Sequence, residues 1–425
     1  MRVLVIGGGA REHALVRRLL TDPGVTVECA PGNPGIAALT PVHVVNLSDP
    51  ADLLALATRL HVDLTVIGPE LPLSVGVADH FAEADQLLLG PTAAAARLET
   101  SKAFAKAFMA RHHVPTARFF VAESEADGLA FVRRGEFGLP IVLKADGLAA
   151  GKGVVIAQNL AEAEATITAA MTGGRFGAAG DRLVIEECLT GPEVSFFVLC
   201  DGTRAVPIGT AQDHKRIFDG DQGPNTGGMG AFAPSPLIDP ALHEQVMREI
   251  VRPVIDGMAA EGSPFKGFLY VGLMLTPFGP RVIEFNVRLG DPEAQVILPR
   301  IAEPLAPLLA AAARGALADR PCALSNEALV GVVLASRGYP DSSESGHPIT
   351  GIDAACERGV TVLHAGTSMS DGRLVTAGGR VLTVVAQGAR FADAINRVYE
   401  GVRAIHFDGM QYRTDIGRKA SNPRL

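Results

Sequence analysis

Two lysines and three glycines in the segment Lys-Ala-Asp-Gly-Leu-Ala-Ala-Gly-Lys-Gly, residues 144–153, have a spacing that suits phosphate binding. Lys144 ends an apolar run that predicts a strand, and Lys152 lies across a glycine-rich bend, so both ammonium groups can reach one polyphosphate. Gly147, Gly151 and Gly153 let backbone N–H groups approach phosphate oxygens without a Cβ in the way. A surface hairpin with solvated lysines is the alternative for either lysine alone.

This segment differs from the familiar nucleotide-binding loop, in which Gly, four residues and Gly-Lys precede a Ser or Thr that holds Mg²⁺. Here three residues separate Gly147 from Gly151, and Gly153 replaces the residue with the hydroxyl. A metal ion that neutralises the phosphates therefore needs ligands from another part of the chain.

Those ligands are predicted in the segment 281–293, where polar and apolar residues alternate. A strand there puts three polar side chains on one face and three apolar ones on the other; they are Glu284, Asn286 and Arg288, opposite Ile283, Phe285 and Val287. Mg²⁺ takes one or two protein oxygens and completes its shell with water and nucleotide phosphates. We therefore expect a metal at Glu284 and Asn286 and an anion at Arg288, although an exposed strand without a site would alternate in the same way.

Two further polar segments carry weaker signals. The edge of a strand ending near Cys188 offers backbone groups to an adenine, and Glu193 follows Glu186 at a distance that suits ribose hydroxyls. The charged residues 212–216 precede the glycine-rich residues 223–230, a loop that is too long for a simple hairpin turn. A solvated strand end and a solvated turn are the alternatives.

The N-terminal Gly-Gly-Gly-Ala-Arg-Glu, residues 7–12, resembles a dinucleotide fingerprint only in part. Glu12 occupies the place of the third glycine and puts a carboxylate at the helix N-terminus, where a pyrophosphate would sit. We therefore favour a small anionic or sugar ligand near Arg11 and His13 over NAD. A tight turn without a ligand is the alternative.

The elements around these motifs predict an α/β protein of three units. Residues 1–100 alternate strands and helices and predict an open parallel sheet whose loops gather ligands at the carboxyl ends of the strands. Residues 101–320 hold the long apolar strands and include a compact α/β segment at 116–190. A linker at 318–328 leads to a small α+β unit, 329–425.

Composition excludes several classes of protein. Of 425 residues 48% are apolar, so large cores are expected, and the net charge of −8 gives no general attraction to nucleic acid. The five cysteines are scattered and never spaced Cys-x-x-Cys, which argues against a disulfide framework or a zinc ribbon. No signal peptide and no apolar run of ~18 residues is evident. We expect a cytoplasmic protein that binds neither nucleic acid nor membrane.

In this order the motifs resemble those of the ATP-grasp ligases and, throughout the chain, of the glycinamide ribonucleotide synthetase (phosphoribosylamine–glycine ligase) family of purine biosynthesis. The matching segments share long unbroken identities, which are specific to that family and not only to the superfamily. They are residues 5–7 with 11–13, 30–33, 68–70, 144–153, 212–216 with 223–230, and 284–293.

The resemblance implies an ATP-grasp architecture and a role for each matching residue. Lys102 and Lys144 resemble the lysines that bind ATP phosphates, and Gly147–Gly153 a mobile lid over them. Glu186 with the backbone at Cys188 resembles the adenine edge, Glu193 the ribose carboxylate, and Glu284 with Asn286 the metal pair. The remaining matches are expected to face the substrates; they are Gly9, Arg11, Glu12, His13, Gly32, Asn33, Glu70, Gly290 and Asp291.

The implied reaction joins glycine to 5-phosphoribosylamine through glycyl phosphate, with ATP and Mg²⁺ or Mn²⁺ as cofactors and a monomer as the working unit. Arg288 is expected to bind an anionic substrate group and Asp213 to orient an amine. Another ATP-grasp ligase, such as a purine-ribonucleotide carboxylase, is the nearest alternative. A dinucleotide-dependent oxidoreductase and a non-catalytic nucleotide-binding regulator are more distant ones.

Overall fold

The structure is a computed structural model, and it describes residues 1–147, 153–173 and 177–421. The N-terminal region confirms the predicted open parallel sheet, with strand order β2-β1-β3-β4 and helices between the strands. Its elements are β1 (Arg2–Gly7), α1 (Ala10–Leu19), β2 (Thr26–Pro31), α2 (Pro34–Ala37), α3 (Pro50–Arg59), β3 (Leu64–Ile67), α4 (Glu70–Ser74), α5 (Val77–Glu83) and β4 (Leu88–Leu89).

Two consecutive helices lead from this sheet into a second, antiparallel sheet with strand order β5-β8-β6-β7. Two helices cover one face of that sheet and bury Phe131, Ile167 and Leu143 in a separate small core. The elements are α6 (Ala93–Thr100), α7 (Lys102–Arg111), β5 (Phe119–Ala122), α8 (Glu125–Arg134), β6 (Ile141–Ala145), β7 (Val154–Ala157), α9 (Leu160–Met171) and β8 (Leu183–Glu187).

The long apolar strands that follow belong to the largest sheet of the molecule. The elements are β9 (Glu193–Asp201), β10 (Ala205–Asp213), β11 (Arg216–Phe218), β12 (Gln222–Asn225), β13 (Gly230–Ala233), α10 (Pro240–Val246), α11 (Arg252–Ala260), β14 (Lys266–Thr276), β15 (Gly279–Asn286), α12 (Ala294–Ile297) and α13 (Leu305–Arg314). The sequence predicts one helix over residues 240–260, but a π-helical turn, Met247–Val251, interrupts it. Pro253 follows that turn and lacks the N–H of a regular helical hydrogen bond, which accounts for the break.

The C-terminal elements complete the same sheet. They are β16 (Ala328–Ala335), α14 (Ile352–Cys356), β17 (Thr361–His364), β18 (Thr367–Ser370), β19 (Arg373–Thr376), β20 (Arg380–Gly388), α15 (Phe391–Val402) and α16 (Arg418–Ser421). The eight strands have the order β15-β14-β9-β10-β13-β16-β20-β17, and β13 pairs antiparallel with β16. The sheet is therefore continuous across the predicted linker at 318–328, in which the structure shows one isolated bridge, between Leu324 and Ile301, before β16 begins.

Alternate residues of β9 show how this sheet organises the molecule. Phe197 and Leu199 pack into the core beneath α1, α12 and α13, whereas Phe196 and Val198 pack into a core that includes Phe108 of α7 and Val254 of α11. Both cores also receive residues of β1, so the N-terminal sheet is packed firmly against the central one. In the described part of the chain, no helix has the length and apolar character that a membrane span requires.

Candidate active site

A buried carboxylate between two lysines marks the side of the site predicted for the nucleotide. Glu186 of β8 is 3% exposed, and its Oε1 and Oε2 lie 2.9 Å from Lys144 Nζ and 2.8 Å from Lys106 Nζ. Lys144 also donates to the carbonyl of Ile283 at 3.0 Å, and this bond connects β6 of the four-stranded antiparallel sheet to β15. Burial lowers the pKa of Lys106 to about 8, although Glu186 opposes that shift. Sequence reasoning missed Lys106, whose only signal was its position one helical turn after Lys102.

The start of α7 and the end of β6 meet at Asp146. Its Oδ1 accepts hydrogen bonds from Ser101 Oγ (3.0 Å) and from the N–H of Ala103 (3.1 Å), and its Oδ2 pairs with Arg182 (2.6 Å). Lys102 Nζ donates to the carbonyl of Gly147 at 2.8 Å. Lys102 and Lys144, the two lysines predicted to bind phosphates, thus both lie near the start of the glycine-rich loop that follows β6.

The far end of that loop is only partly described. Gly153 accepts a hydrogen bond from the N–H of Ala145 at 2.9 Å. Gly151 and Lys152 lie outside the described residues, so their predicted phosphate contacts and the mobile lid remain predictions. Cys188 follows β8 and is half-buried.

Four charged side chains share a pocket between β9, β10, β14 and β15. Glu193, Asp213, Lys215 and Glu284 line it together with Tyr270. Lys215 Nζ lies 2.5 Å from Glu193 Oε2. Burial raises the pKa of Asp213, and Lys215 opposes this shift. For Glu284, burial is outweighed by Lys215, Lys144 and Lys102, which together hold its pKa below the ordinary value and keep the carboxylate ionised.

The predicted alternation along β15 is wrong at one position. Gly272 pairs with Glu284 and Leu273 with Val282, so Ile283 is an extra residue in a β-bulge. Ile283 consequently lines the same pocket as Glu284, where strict alternation predicted the opposite face. Phe285 and Val287 do lie in the core, as predicted.

Glu99 organises the polar side chains that follow Glu284. It accepts hydrogen bonds from the N–H of Val287 (2.8 Å) and from Arg288 Nη2 (2.9 Å). The hydrogen bonds around Asn286 are complete when its amide nitrogen donates to Glu99 Oε1 (3.1 Å). In this orientation the amide oxygen of Asn286 points away from the Glu99 carboxylate. Arg288 Nε lies 3.5 Å from Glu70 Oε2 in the N-terminal region. Burial raises the pKa of Glu99, and Arg288 opposes the shift.

Glu284 and Asn286 have the chemistry to hold a divalent cation beside a nucleotide, and their role as metal ligands stays a prediction. One ionised carboxylate and one amide oxygen are hard ligands of the kind that Mg²⁺ uses beside phosphates. Within residues 1–147, 153–173 and 177–421 there is no group of three or more His, Cys, Asp and Glu side chains that could hold a metal without such a partner.

The N-terminal glycine loop is filled by Glu12. Its Oε2 accepts from the N–H of Gly9 (2.6 Å) and its Oε1 from Arg11 Nε (2.6 Å). A Cβ at Gly68 would lie 2.1 Å from Glu12 Oε1, so this carboxylate packs against the turn after β3. A carboxylate held there leaves a dinucleotide pyrophosphate no place at the start of α1, in agreement with the sequence argument against NAD.

His13 and Asn33, both predicted to face a substrate, use their polar atoms within the protein. His13 Nδ1 accepts from the N–H of His364 at 2.9 Å. Asn33 Nδ2 donates to the carbonyls of Gly8 (2.9 Å) and His364 (2.8 Å). Burial lowers the pKa of His13 to about 3, and His364 and Arg17 add to the shift. Gly32 adopts a φ of +72° beside Gly8 and Val42 in the same corner.

Asp291 and Gly290 close the far end of the site. Asp291 Oδ2 pairs with Arg380 Nη2 at 3.2 Å, and its Oδ1 accepts from Gln295 Nε2 at 2.7 Å. A Cβ at Gly290 would lie 2.5 Å from Glu293 Oε2. Burial raises the pKa of Glu293 to about 7, with Asp213 adding to the shift. Sequence reasoning included Glu293 in a matching segment but gave it no role.

Comparisons with known proteins match the chain almost from end to end. Residues 1–99, 100–294 and 329–419 match the N domain, the ATP-grasp (A) domain and the C domain of phosphoribosylglycinamide synthetase. A relative from Streptomyces coelicolor named phosphoribosylamine–glycine ligase is 51% identical over 99% of this chain and 100% of the relative. A solved phosphoribosylamine–glycine ligase from Thermotoga maritima is 34% identical with a TM-score of 0.87, covering 98% of this chain and all of that one.

A more distant structure is similar in fold alone. The biotin carboxylase domain of a 2-oxoglutarate carboxylase from Hydrogenobacter thermophilus, solved with magnesium ADP and bicarbonate, is 18% identical with a TM-score of 0.75 and covers 96% of this chain and 91% of that one. The close relatives span the chain from end to end and carry one name. The chain therefore belongs to the phosphoribosylglycinamide synthetase family and has the ATP-grasp fold.

Proposed function

We propose that this protein catalyses the ATP-dependent joining of glycine to 5-phosphoribosylamine, giving glycinamide ribonucleotide, ADP and phosphate. One observation carries the proposal beyond family membership. Contacts connect the predicted nucleotide residues to the N-terminal region through β15: Lys144 pairs with Glu186 and donates to the carbonyl of Ile283, next to Glu284. Farther along the same segment, Arg288 lies 3.5 Å from Glu70 of the N-terminal region. Such a continuous set of contacts suits a reaction that passes a phosphoryl group from a nucleotide to one substrate and an acyl group to the next.

The protein's part in the first step is positioning and charge neutralisation. Lys102, Lys144 and the loop after Gly147 bind the phosphates, while Glu186 and Glu193 serve the adenine and the ribose. An oxygen of the glycine carboxylate attacks the γ-phosphorus and ADP leaves, which forms glycyl phosphate. A carboxylate is already a nucleophile, so the gain comes from fixed geometry and fixed charges and not from a covalent enzyme intermediate. Glu284 and Asn286 would hold a Mg²⁺ or Mn²⁺ ion, which when bound would supply positive charge to the phosphates.

The second step takes place on the side of the N-terminal loop. The amine nitrogen of phosphoribosylamine attacks the acyl carbon, phosphate leaves, and the nitrogen loses a proton. Asp213 orients the amine, and Arg288, whose guanidinium also contacts Glu99 and Glu70, holds an anionic substrate group. The proposal also includes a monomer as the working unit and the cytoplasm as its compartment.

The test is ADP release with each substrate omitted in turn. We expect ADP formation to need glycine and phosphoribosylamine together and to fall to background when either is absent. A parallel assay with bicarbonate in place of glycine tests the alternative, a purine-ribonucleotide carboxylase. Turnover that bicarbonate stimulates and glycine does not would reject the ligase in favour of that enzyme.

A further inference from the structure

An arginine from the C-terminal unit reaches into the substrate side of the site. Arg380, the first residue of β20, donates through Nη1 to the carbonyl oxygens of Gly227 (2.6 Å) and Asp291 (2.7 Å). Its Nη2 pairs with the Asp291 carboxylate at 3.2 Å. One guanidinium thus joins the glycine-rich loop 223–230 to the segment after β15. Neither its position after the linker nor its spacing from any motif signals this contact in the sequence.

A second residue of the same unit holds the other side of the Gly227 residue. Tyr339 Oη accepts a hydrogen bond from the N–H of Gly227 at 2.8 Å. A Cβ at Gly227 would lie 3.0 Å from Arg380 Cζ and 3.2 Å from Tyr339 Oη, so only glycine fits without displacing them. The loop is therefore fixed from both faces by residues that follow the linker.

The carboxylate that Arg380 holds is aimed at the N-terminal loop. Gln295, fully buried, fixes the other oxygen of Asp291. A Cβ at Gly9 would lie 3.8 Å from Asp291 Oδ2, and Arg11 is near enough to favour the ionised form of Asp291. The Lys144–Glu186 pair that marks the nucleotide side contacts β15 at Ile283, eight residues earlier in the chain.

We propose that Arg380 is a positioning residue for the acceptor half of the site, where the phosphorylated sugar amine binds. Arg380 sets the distance between Asp291 and the loop 223–230, because the N–H donors of its planar guanidinium contact both. A lysine carries the same charge but cannot span three acceptors with fixed geometry. The inference rests on the proposed function, because it assigns a residue to one substrate of that reaction.

The test compares Michaelis constants for all three substrates in Arg380→Lys and Arg380→Gln. We expect the KM for phosphoribosylamine to rise by about 10-fold or more in both variants, with the KM for ATP within about 2-fold of the wild type. The matched control is Arg373→Lys, an exposed arginine on β19 of the same unit, for which all three constants should stay at wild-type values. Thermal unfolding of each variant verifies that it is folded.

A double substitution separates positioning from a general loss of structure. Tyr339→Phe removes the acceptor for the Gly227 N–H, and we expect it to raise the same KM by a few-fold. Because both residues act on Gly227, the combined Arg380→Lys and Tyr339→Phe effect should be smaller than the product of the two. A rise in KM that is equal for ATP and phosphoribosylamine, or a KM for phosphoribosylamine that does not change, would overturn the assignment. Wild-type protein that releases no ADP with glycine and phosphoribosylamine would instead reject the proposed function.

Discussion

Opposite charges alternate in the site, and this alternation prepares it for a polyanion. Glu186 is buried between Lys106 and Lys144, whereas Lys215 pairs with Glu193 in a more exposed position. A buried charge is tolerated only when it is paired and hydrogen-bonded, so the Glu186 carboxylate keeps Lys106 and Lys144 in place before a nucleotide arrives. Three lysines favour the ionised form of Glu284, and a carboxylate binds a metal ion in that form.

The residue that tests this view is Glu284. Glu284→Gln keeps the shape of the side chain but removes the charge that would attract a divalent cation. We expect glycine-dependent ADP release to fall on the order of 10²-fold or more, because the lost ligand acts where the phosphates most need neutralisation. The measurement is ADP release across a Mg²⁺ titration, with thermal unfolding as the control for folding. Wild-type turnover with wild-type metal dependence would remove Glu284 from the metal site.

A contiguous motif is enough to propose a residue for the site, whereas a contact between residues distant in sequence could not be predicted. Lys144, Glu284 and Asn286 lie in segments whose local pattern already indicates chemistry. Glu99 meets Arg288 across 189 residues, and nothing near Glu99 indicates that its carboxylate will be buried against that arginine. Arg380 was missed for the same reason.

At the scale of elements, Asp146 fixes helix α7 to the end of β6 and to the start of β8. Its carboxylate accepts from the N–H of Ala103 in the first turn of α7 and pairs with Arg182 just before β8. A carboxylate at a helix N-terminus is stabilising, and this one is 3% exposed. The same contact sets the place from which Lys102 reaches the Gly147 carbonyl.

Asp146→Asn should therefore weaken both stability and nucleotide binding. We expect a loss of about 1–3 kcal/mol in the free energy of unfolding, since a charge-assisted buried partner is replaced by a neutral one. The KM for ATP should rise several-fold, because the first turn of α7, which carries Lys102, is no longer held in place by Asp146. Chemical denaturation and steady-state kinetics measure the two effects. Asp127→Asn, on the exposed start of α8, is the control; an Asp146→Asn protein with an unchanged KM for ATP would contradict this role.

The elements were largely predictable, and their irregularities were not. Apolar runs bounded by glycine or proline predict strands and helices close to those observed. One example is the run at residues 64–67, which forms β3. The bulge at Ile283 depends on how β15 pairs with β14, which no pattern within β15 contains. The π-helical turn at Met247–Val251 interrupts an apolar periodicity that reads as one helix.

At the scale of the whole molecule, one sheet joins the central region to the C-terminal unit, and one corner joins the C-terminal unit to the N-terminal region. The eight-stranded sheet runs from β15 to β17 and so includes strands from both sides of the predicted linker. The continuity of that sheet was not predictable, because the pairing of β13 with β16 joins strands almost 100 residues apart. In the corner, His13 of α1 accepts from the backbone of β17, and its ring centroid lies 5.6 Å from that of His364.

This corner predicts a dependence of stability on pH. In the folded protein burial lowers the pKa of His13 to about 3 and that of His364 to about 4, from an ordinary value of 6.5. At pH values between these lowered pKa values and 6.5, the two histidines bind more protons in the unfolded chain than in the folded one. The contribution of each histidine is therefore present above pH 6.5 and is lost as the pH falls, on the order of 2 kcal/mol between pH 7 and pH 5 for His13.

His13→Asn tests the corner directly, because an asparagine oxygen can accept the hydrogen bond from the N–H of His364 but carries no titrating group. We expect the variant to lose less stability than the wild type when the pH is lowered from 7 to 5, while His364 keeps its own share of the dependence. The measurement is urea denaturation at a series of pH values. His406→Asn, at an exposed histidine, should retain the wild-type slope. Equal slopes in wild type and His13→Asn would mean that His13 is already protonated in the folded protein or exposed to solvent, and the contact between α1 and β17 would then not be a buried neutral pair.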